Sequence, residues 1–282
     1  MDRRTFLRDA GRAAAVSAAS LGGYAYAVEP HWLEMVRREL CIAALPAALD
    51  GAQLALLTDI HVGPRVSDDY LTSVFARVRE IRPDIVVFGG DALTHRALGG
   101  EAQYQHLRAV LSTFPHGRLA TVAVLGNHDY GAGWKDFGVA ARVAAELEHA
   151  GVRVLRNDAA NVAGLDLVGV EDLWSGRADA ARVLAQRTGV AAITLCHNPD
   201  GADVLDWRGF GGWIFAGHTH GGQCRPPFLP PPILPVRNRR YSAGAVAAPG
   251  GRTLYISRGV GHFLHVRFNV RPEVTVFTLR TA

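Results

Sequence analysis

The sequence has little cysteine, with three residues among 282. Cys41, Cys196 and Cys224 form no Cys-x-x-Cys pair and have no zinc-finger spacing. A fold that depends on a network of disulfides, or on a cysteine-ligated metal, is therefore excluded. The count leaves room for one bridge in an oxidising compartment.

Internal repeats and long low-complexity tracts are also absent. Hydrophobic residues make up 49% of the chain and charged residues 20%, which is typical of one large domain with a full core. The formal net charge is only +4, and it falls to +2 without the four arginines and two aspartates of residues 1–27. So small a charge argues against a nucleic-acid partner.

Residues 1–27 have the pattern of a twin-arginine export signal. Arg3 and Arg4 precede the apolar Phe6 and Leu7, a charge-free stretch covers residues 13–28, and residues 25–27 form a small-x-small cleavage site. We therefore predict a signal peptide over residues 1–27 and a single domain over residues 28–282. The partner implied is the twin-arginine export machinery, and the location is the periplasm or cell envelope.

Two other interpretations of this segment stay open. One is an ordinary amphipathic first helix of the folded domain. The other is an uncleaved membrane anchor, although the charge-free stretch is weak in Leu and Ile and shorter than the ~20 residues that a spanning helix needs.

Five apolar runs further along the chain are each followed by a side chain of a type that binds metals. Runs of this length predict strands buried on both faces, as in parallel sheets. Because the carboxyl ends of such strands meet at one edge of a sheet, the side chains that follow them should gather there. The runs cover residues 54–58, 85–89, 122–125, 192–196 and 213–216, and the polar residues after them are Asp59, His61, Asp91, Asn127, His128, His197, His218 and His220.

The order of the predicted elements indicates an α/β fold. Apolar residues at helical spacing predict helices over residues 67–82, 101–112, 139–147 and 178–187. Strands alternate with these helices early in the chain and dominate late, which predicts two facing mixed sheets between helical layers. The other strands are predicted over residues 38–44, 119–125, 152–155, 166–170, 253–257 and 274–279.

Residues 226–235 contain too many prolines for a helix interior or a central strand, so they predict a surface loop. The loop carries apolar side chains, among them Phe228, Leu229 and Ile233, and arginines flank it at positions 225, 237, 239 and 240. This combination is typical of a segment that contacts a membrane surface. The alternative is that the apolar groups pack back on the domain.

The metal-binding residues are aspartate, asparagine and histidine, with no cysteine. Such ligands suit Mn²⁺, Fe or Zn²⁺, of which we favour Mn²⁺. Two divalent ions about 3.5–4 Å apart can clamp a phosphate and lower the pKa of a shared water. A carboxylate must bridge them, and Asp91 lies in the middle of the series.

Taken together, the motifs resemble those of the calcineurin-like metallophosphoesterases, in the same order and over residues 53–223. They are Asp59-x-His61, Gly90-Asp91, Gly126-Asn127-His128-Asp129, His197 and Gly217-His218-x-His220. The resemblance is to the exported phosphodiesterase branch related to UDP-2,3-diacylglucosamine pyrophosphatases. It implies a phosphoester substrate, two divalent metal ions and a hydroxide between them that attacks phosphorus.

The resemblance also implies a role for each residue. Two sets of three ligands are expected, one set for each metal, and Asp91 is expected to be shared by both metals. His128 is expected to bind no metal but to contact the phosphate, together with Asn127, and to protonate the leaving oxygen. The first set is Asp59, His61 and His220, and the second set is Asn127, His197 and His218.

The chain departs from the family pattern at one position. Where the family often has a second aspartate that orients the histidine, this sequence has Thr94. The hydroxyl of Thr94 can accept the imidazole N–H of His128 but adds no charge. Either His128 is therefore a weaker acid in this chain, or Asp129 or His95 substitutes for the missing aspartate.

Two further sites are candidates. Arg258 is a candidate phosphate clamp, because a guanidinium matches phosphate geometry, although an exposed surface arginine would have the same sequence context. Glu171 and Asp172 follow a predicted strand and are expected only to cap a loop.

Three functions fit the sequence. The first is a metal-dependent hydrolase of phosphoester bonds, a phosphodiesterase or phosphatase. The second is a pyrophosphate hydrolase of the UDP-2,3-diacylglucosamine type, acting on a lipid-linked substrate at the membrane through residues 226–235. The third is a noncatalytic envelope protein that metals stabilise, which the presence of His128 argues against.

Overall fold

The structure is a computed structural model that describes residues 2–94 and 100–282. The described residues form six α-helices and twelve strands. The helices are α1 (Arg3–Gly23), α2 (Asp68–Ile81), α3 (Gly100–Leu111), α4 (Phe137–His149), α5 (Ala180–Leu184) and α6 (Gly201–Val204). The strands are β1 (Glu34–Ile42), β2 (Gln53–Leu57), β3 (Ile85–Phe88), β4 (Ala120–Ala123), β5 (Arg153–Val154), β6 (Asp158–Val162), β7 (Leu165–Gly169), β8 (Ala191–Leu195), β9 (Trp213–Ala216), β10 (Gly244–Ala247), β11 (Thr253–Ile256) and β12 (Glu273–Thr281).

The strands form two mixed sheets of six. The first has the order β1-β12-β2-β3-β4-β5 and is parallel except between β12 and β2. The second has the order β10-β11-β9-β8-β7-β6 and is parallel from β11 to β7, with one antiparallel strand at each edge. The α/β prediction with two facing mixed sheets is therefore confirmed.

Three apolar layers hold the fold together. The outer face of the first sheet packs against α2, α3 and α4, and the outer face of the second sheet packs against α5 and α6. Between the sheets, side chains such as Leu56, Val87, Leu167 and Phe215 interleave. Strands buried on both faces need apolar side chains at every position, which explains the continuous apolar runs.

Helix α2 follows the sequence signals closely. The side chain of Ser67 accepts a hydrogen bond from the backbone N–H of Tyr70, 3.2 Å away, and so caps the helix. Arg82 takes a left-handed conformation just before Pro83, which cannot continue the helix.

Other elements differ from the prediction where strand pairing or a helix cap sets their ends. Strand β1 covers residues 34–42 rather than 38–44, because it pairs along the whole length of β12. Helix α5 is shorter than predicted and begins after Asp179, whose side chain accepts from the N–H of Arg182. Strands β6 and β10 were not predicted, since they are short edge strands rich in alanine and their pairing with β7 and β11 is a tertiary contact.

The predicted signal segment has two structural parts. Helix α1 buries none of its residues, and none of the helices that the structure describes is long and apolar enough to cross a membrane. The part after α1 is docked, because the carbonyl of Ala25 accepts from the N–H of Arg267 at 2.9 Å and the ring of Tyr26 stacks on His265. The Glu29 carboxylate is buried and accepts from the N–H of Asn269 at 2.9 Å.

The cysteines bear on the expectation of at most one disulfide bridge. Cys41, Cys196 and Cys224 are all free, so the structure contains no disulfide between them.

Residues 226–235 lie outside helices and strands, as predicted. Phe228 is 104% exposed and Ile233 72% exposed, so the alternative in which these side chains pack back on the domain is wrong.

We expect Phe277→Ala to destabilise the protein by about 3–5 kcal/mol, the usual cost of removing a buried phenyl ring. Phe277 is buried between the sheets, where its ring stacks on Phe215 at 4.9 Å and meets Tyr255 edge-on at 5.0 Å. Urea unfolding measures the loss. The exposed Leu119→Ala is the control, with a change within roughly 0.5 kcal/mol. Equal losses for the two variants would contradict the packing described.

Candidate metal centre

Polar residues gather where the strands of both sheets end. Asp59 and Asp91 follow β2 and β3 of the first sheet, and His197 and His218 follow β8 and β9 of the second. The two edges are joined directly, because the N–H of His218 donates to Asp59 Oδ1 at 3.0 Å. The carboxyl ends of parallel strands thus converge at one edge, as the apolar runs predict.

One group of metal-binding side chains consists of Asp59, His61 and His220. One ligand atom from each lies within 4.8 Å of the other two. The Nε2 atoms of His61 and His220 lie 3.0 Å apart, and they lie 4.0 and 3.5 Å from Asp59 Oδ1. All three residues are buried. Ligand atoms that converge on one buried point fit a single transition-metal ion.

A second group consists of Asp91, His197 and His218, whose ligand atoms also lie within 4.8 Å of one another. Asp91 Oδ2 lies 3.2 Å from His197 Nε2 and 3.6 Å from His61 Nε2, so a single carboxylate oxygen faces both groups. Asn127 adjoins the second group, since its Oδ1 lies 2.7 Å from His218 Nδ1. The structure therefore brings together all seven residues that the sequence predicts as ligands.

Two glycines of the motifs make this close packing possible. A Cβ atom on Gly126 would overlap the carboxylate of Asp91, and one on Gly217 would overlap the carboxylate of Asp59. Each glycine therefore leaves the space in which a metal-binding carboxylate lies.

The backbone at the site is strained. Five of the seven predicted ligands have positive φ angles, a conformation that non-glycine residues rarely adopt. Strain of this kind persists only where the surrounding structure imposes it, and it is concentrated at functional sites. The residues and angles are Asp59 (54°), His61 (49°), Asp91 (59°), His218 (69°) and His220 (50°).

Burial and close charges shift the protonation of the site. Burial alone would raise the pKa of Asp91, but His197 and His128 lower it well below its usual range. Burial alone would lower the pKa of His197, but Asp91 raises it well above its usual range. Asp91 and His197 therefore carry opposite charges, and a cation that binds between them displaces a proton.

The other histidines are prepared to bind a cation. Burial lowers the pKa of His61 to about 3 and that of His218 to about 3, so both rings are neutral at neutral pH. His218 Nε2 lies 3.0 Å from the carbonyl oxygen of Pro235, and its Nδ1 lies 2.7 Å from Asn127 Oδ1 within the second group. His197 Nδ1 donates to the carbonyl of Gly89 at 2.8 Å, and its buried Nε2 faces Asp91 Oδ2 at 3.2 Å. Buried imidazole nitrogens and carboxylates that converge in this way fit a pair of divalent ions.

His128 lies beside the two groups and belongs to neither. Its backbone N–H donates to Asp91 Oδ1 at 2.9 Å, and its half-buried ring meets that of His61 edge-on at 5.0 Å. The imidazole lines the cavity in front of the centre. It is therefore available to a molecule that enters from solvent.

The structure corrects the expectation about the group that orients His128. The hydroxyl of Thr94 donates to the carbonyl of His61 at 3.2 Å rather than contacting the imidazole. Asp129 is occupied, because its carboxylate accepts from four backbone N–H groups, at 2.9, 2.9, 3.1 and 2.9 Å. Its role is to hold the loops of Asp91 and Asn127. His95, the other candidate, lies outside the described residues.

The phosphate-clamp prediction for Arg258 is wrong. Its Nε donates to Glu273 at 2.6 Å and its Nη2 donates to Glu34 at 2.9 Å, so two carboxylates already neutralise the guanidinium. The sequence could not show this, because Glu34 and Glu273 lie on β1 and β12, far from residue 258 along the chain.

Asp172 caps a loop, as predicted, and only one of its two carboxylate oxygens is used for the cap. Its Oδ1 accepts from the N–H of Trp174 at 2.8 Å, while its buried Oδ2 has no hydrogen-bond partner. Burial raises the pKa of Asp172 to about 6, against the opposing effect of His197. Glu171 instead accepts from Arg156 Nε at 2.8 Å, which is a structural contact.

Sequence reasoning missed the aromatic residues around the centre. The rings of Trp134 and Trp174 lie 4.4 Å apart, and Trp174 meets the ring of His218 edge-on at 4.6 Å. Phe263 lies 5.3 Å from the ring of His128. No motif signals these residues, since they come from three separate loops.

The fold and the ligand groups agree with comparisons to known proteins. The family described as calcineurin-like phosphoesterase matches residues 52–222. The chain belongs to this family and is a metallophosphoesterase, a hydrolase of phosphoester bonds with two candidate metal sites.

Three relatives illustrate the range of the family. The chain is 33% identical to phosphodiesterase YaeI of Escherichia coli, over 99% of both chains. It is 31% identical to the metallophosphoesterase YkuE of Bacillus subtilis, over 100% of this chain and 98% of that one. It is 23% identical to the UDP-2,3-diacylglucosamine pyrophosphatase LpxG of Chlamydia trachomatis, over 88% of this chain and 89% of that one.

We expect Asp129→Asn to weaken metal binding and lower the melting temperature. An amide nitrogen cannot accept hydrogen bonds, so two buried N–H groups lose their acceptor, at about 1–3 kcal/mol each. Metal content by mass spectrometry and thermal unfolding with and without Mn²⁺ measure the effect.

Asp136→Asn is the matched control, because Asp136 caps α4 from an exposed position and asparagine caps equally well. The assignment of Asp129 fails if the two variants bind metal with the same affinity.

Proposed function

We propose that the protein is a phosphodiesterase with a dinuclear centre that contains Mn²⁺, with Fe or Zn²⁺ as alternatives. Asp91 would bridge the two ions. The observation that carries the proposal is the position of Asp91 Oδ2, 3.6 Å from His61 Nε2 and 3.2 Å from His197 Nε2. The first ion would be held by Asp59, His61 and His220, and the second by Asn127, His197 and His218.

When bound, two divalent ions lower the pKa of a water molecule and neutralise charge on the phosphate. The chain's own residues supply the rest. His128 faces the cavity from the edge of the centre, where its imidazole hydrogen-bonds a phosphate oxygen and gives a proton to the leaving oxygen. Its backbone N–H is fixed to Asp91 Oδ1, so the general acid and the bridging ligand keep a constant separation.

The relatives support diesters as the substrate class. The protein from Escherichia coli, which the chain matches over nearly its full length, is named a phosphodiesterase. A noncatalytic metal-stabilised protein is disfavoured, because such a protein has no use for an imidazole that faces the cavity and belongs to neither ligand group.

We expect the purified protein to hydrolyse bis(p-nitrophenyl) phosphate when Mn²⁺ is added. Asp91→Asn removes the charge that both ions share, and we expect the rate to fall by roughly 100-fold or more. The release of p-nitrophenolate measures turnover, and mass spectrometry of the same samples counts bound metal.

His128→Ala tests the general acid while leaving every metal ligand unchanged. This variant should keep two ions but lose rate, by about 100-fold or more for an alkyl leaving group, which needs the proton, and by less for p-nitrophenolate. Turnover by the unmodified protein that is no higher than that of Asp91→Asn would remove the proposal.

We also propose that the protein is exported through the twin-arginine pathway and works in the periplasm or cell envelope. The arginine pair at positions 3 and 4 and the exposed helix α1 support this location.

A lipid-linked pyrophosphate is the second candidate substrate. A relative of this class, LpxG, matches 88% of the chain. The loop of residues 226–235 supports contact with a membrane, because Phe228 and Leu229 are 104% and 58% exposed beside Arg225. Exposed apolar side chains edged by arginine suit the surface of an anionic bilayer.

We expect the double variant Phe228→Ser, Leu229→Ser to lose most activity on UDP-2,3-diacylglucosamine in vesicles of phosphatidylglycerol and phosphatidylcholine. Each side chain removed forfeits roughly 1.5–3 kcal/mol of apolar burial in the membrane. Hydrolysis of soluble bis(p-nitrophenyl) phosphate is the parallel measurement. If the variant and the original protein cleave the lipid substrate at equal rates, the second candidate is wrong.

A further inference from the structure

A cavity of about 420 Å³ opens directly in front of the metal centre. Asp91, Asn127, His128 and His220 form its inner end. A molecule whose phosphate reaches the metal-binding residues therefore places one of its ester groups in this cavity.

The remaining walls are mainly apolar. Trp134 and Trp174 form one wall, Ile233 a second, and Phe263 and Leu264 a third. Neither arginine nor lysine is among the described residues that line the cavity. A second charged group on the substrate would find no partner there, and burying it would be costly.

The third wall is held in place by Gln223, which follows the last ligand motif. Its amide nitrogen donates to the carbonyls of Leu264 and Val266, each at 2.7 Å. Its amide oxygen accepts from the N–H groups of Phe263 and Leu264, at 3.0 and 3.1 Å. All the hydrogen-bonding capacity of this side chain is thus used to fix one apolar wall relative to His220.

Several of these apolar side chains face solvent. Phe263 is 42% exposed and Leu264 48% exposed, although they lie beside buried polar ligands. A rigid apolar wall that is left open to water gains free energy when an apolar group covers it. Metal binding does not require such a wall.

We propose that this cavity binds a linear alkyl or acyl group that the substrate carries on its phosphate, and that Gln223 is a positioning residue for it. The volume suits such a chain, because about 30 Å³ per methylene, similar to the share of a water molecule, gives room for roughly a dozen carbons. The inference rests on the proposed phosphodiesterase activity and specifies its substrate class.

The test uses the full chain with Mn²⁺ and a series of methyl, butyl and octyl p-nitrophenyl phosphates. We expect kcat/KM to rise by up to about fourfold for each added methylene, the factor that corresponds to burying one methylene. Choline p-nitrophenyl phosphate (p-nitrophenylphosphocholine), which adds a charged group instead, should be hydrolysed more slowly than the butyl ester.

Two variants and a control locate the effect. Leu264→Ser should flatten the dependence on chain length, whereas Leu119→Ser, an exposed leucine remote from the cavity, should leave it unchanged. Gln223→Ala should raise KM for the octyl ester by about tenfold or more, the effect of releasing one apolar wall, with a much smaller change in kcat. A role of Gln223 in stability alone would instead reduce the activity on all esters equally.

Inhibition of the unmodified protein gives a measurement that does not depend on folding of a variant. Octylphosphonate should inhibit hydrolysis of bis(p-nitrophenyl) phosphate far more strongly than methylphosphonate. Equal inhibition, or rates independent of chain length, would overturn the subsite and leave the phosphodiesterase proposal intact. Turnover of every ester at the level of Asp91→Asn would remove both.

Discussion

The burial of two carboxylates within one cluster of histidines is the constraint on which the site depends. Asp59 and Asp91 are buried, and burial raises the pKa of Asp59 to about 6. Without compensation, two such charges would destabilise the fold by several kcal/mol. Backbone N–H groups of His128 and His218 and the ring of His197 provide part of the compensation. Divalent cations bound to these residues would supply the remainder.

Each sheet supplies part of the metal-binding residues. The first sheet delivers the carboxylates and His61, and the second delivers His197, His218 and His220. Neither sheet holds a complete ligand group, so the centre exists only when the sheets are packed. The apolar core between them, with Phe215 against Phe277, therefore sets the geometry of the metal site as well as the stability of the chain.

The ligands could be predicted from the sequence because they follow apolar strands of fixed order. A strand such as Ile85–Phe88 is visible as a local run, and its carboxyl end must lie at the common edge. The same logic gave the helix from Asp68 to Ile81, whose cap and stop are local signals. Pairing of β1 with β12 could not be predicted, since it joins segments at opposite ends of the chain.

The errors at the site have the same physical origin. Arg258 was expected to contact the phosphate and Asp129 to orient His128, but partners from other parts of the chain occupy both side chains. Glu273 binds the guanidinium of Arg258, and the N–H groups of Asp91 and Ala92 are among those that occupy Asp129. Residue type indicates which chemistry is available, whereas the hydrogen bonds decide whether it is free.

The segment just before β1 contacts the loop at the mouth of the cavity. The Ala25 carbonyl and the Tyr26 ring hold Arg267 and His265, in the loop that also carries Phe263. Proteolysis after Ala27 would release both contacts while leaving Glu29 in place. If residues 1–27 are removed as proposed, the precursor and the trimmed form would share the same catalytic groups and differ in the contacts that hold the entrance loop.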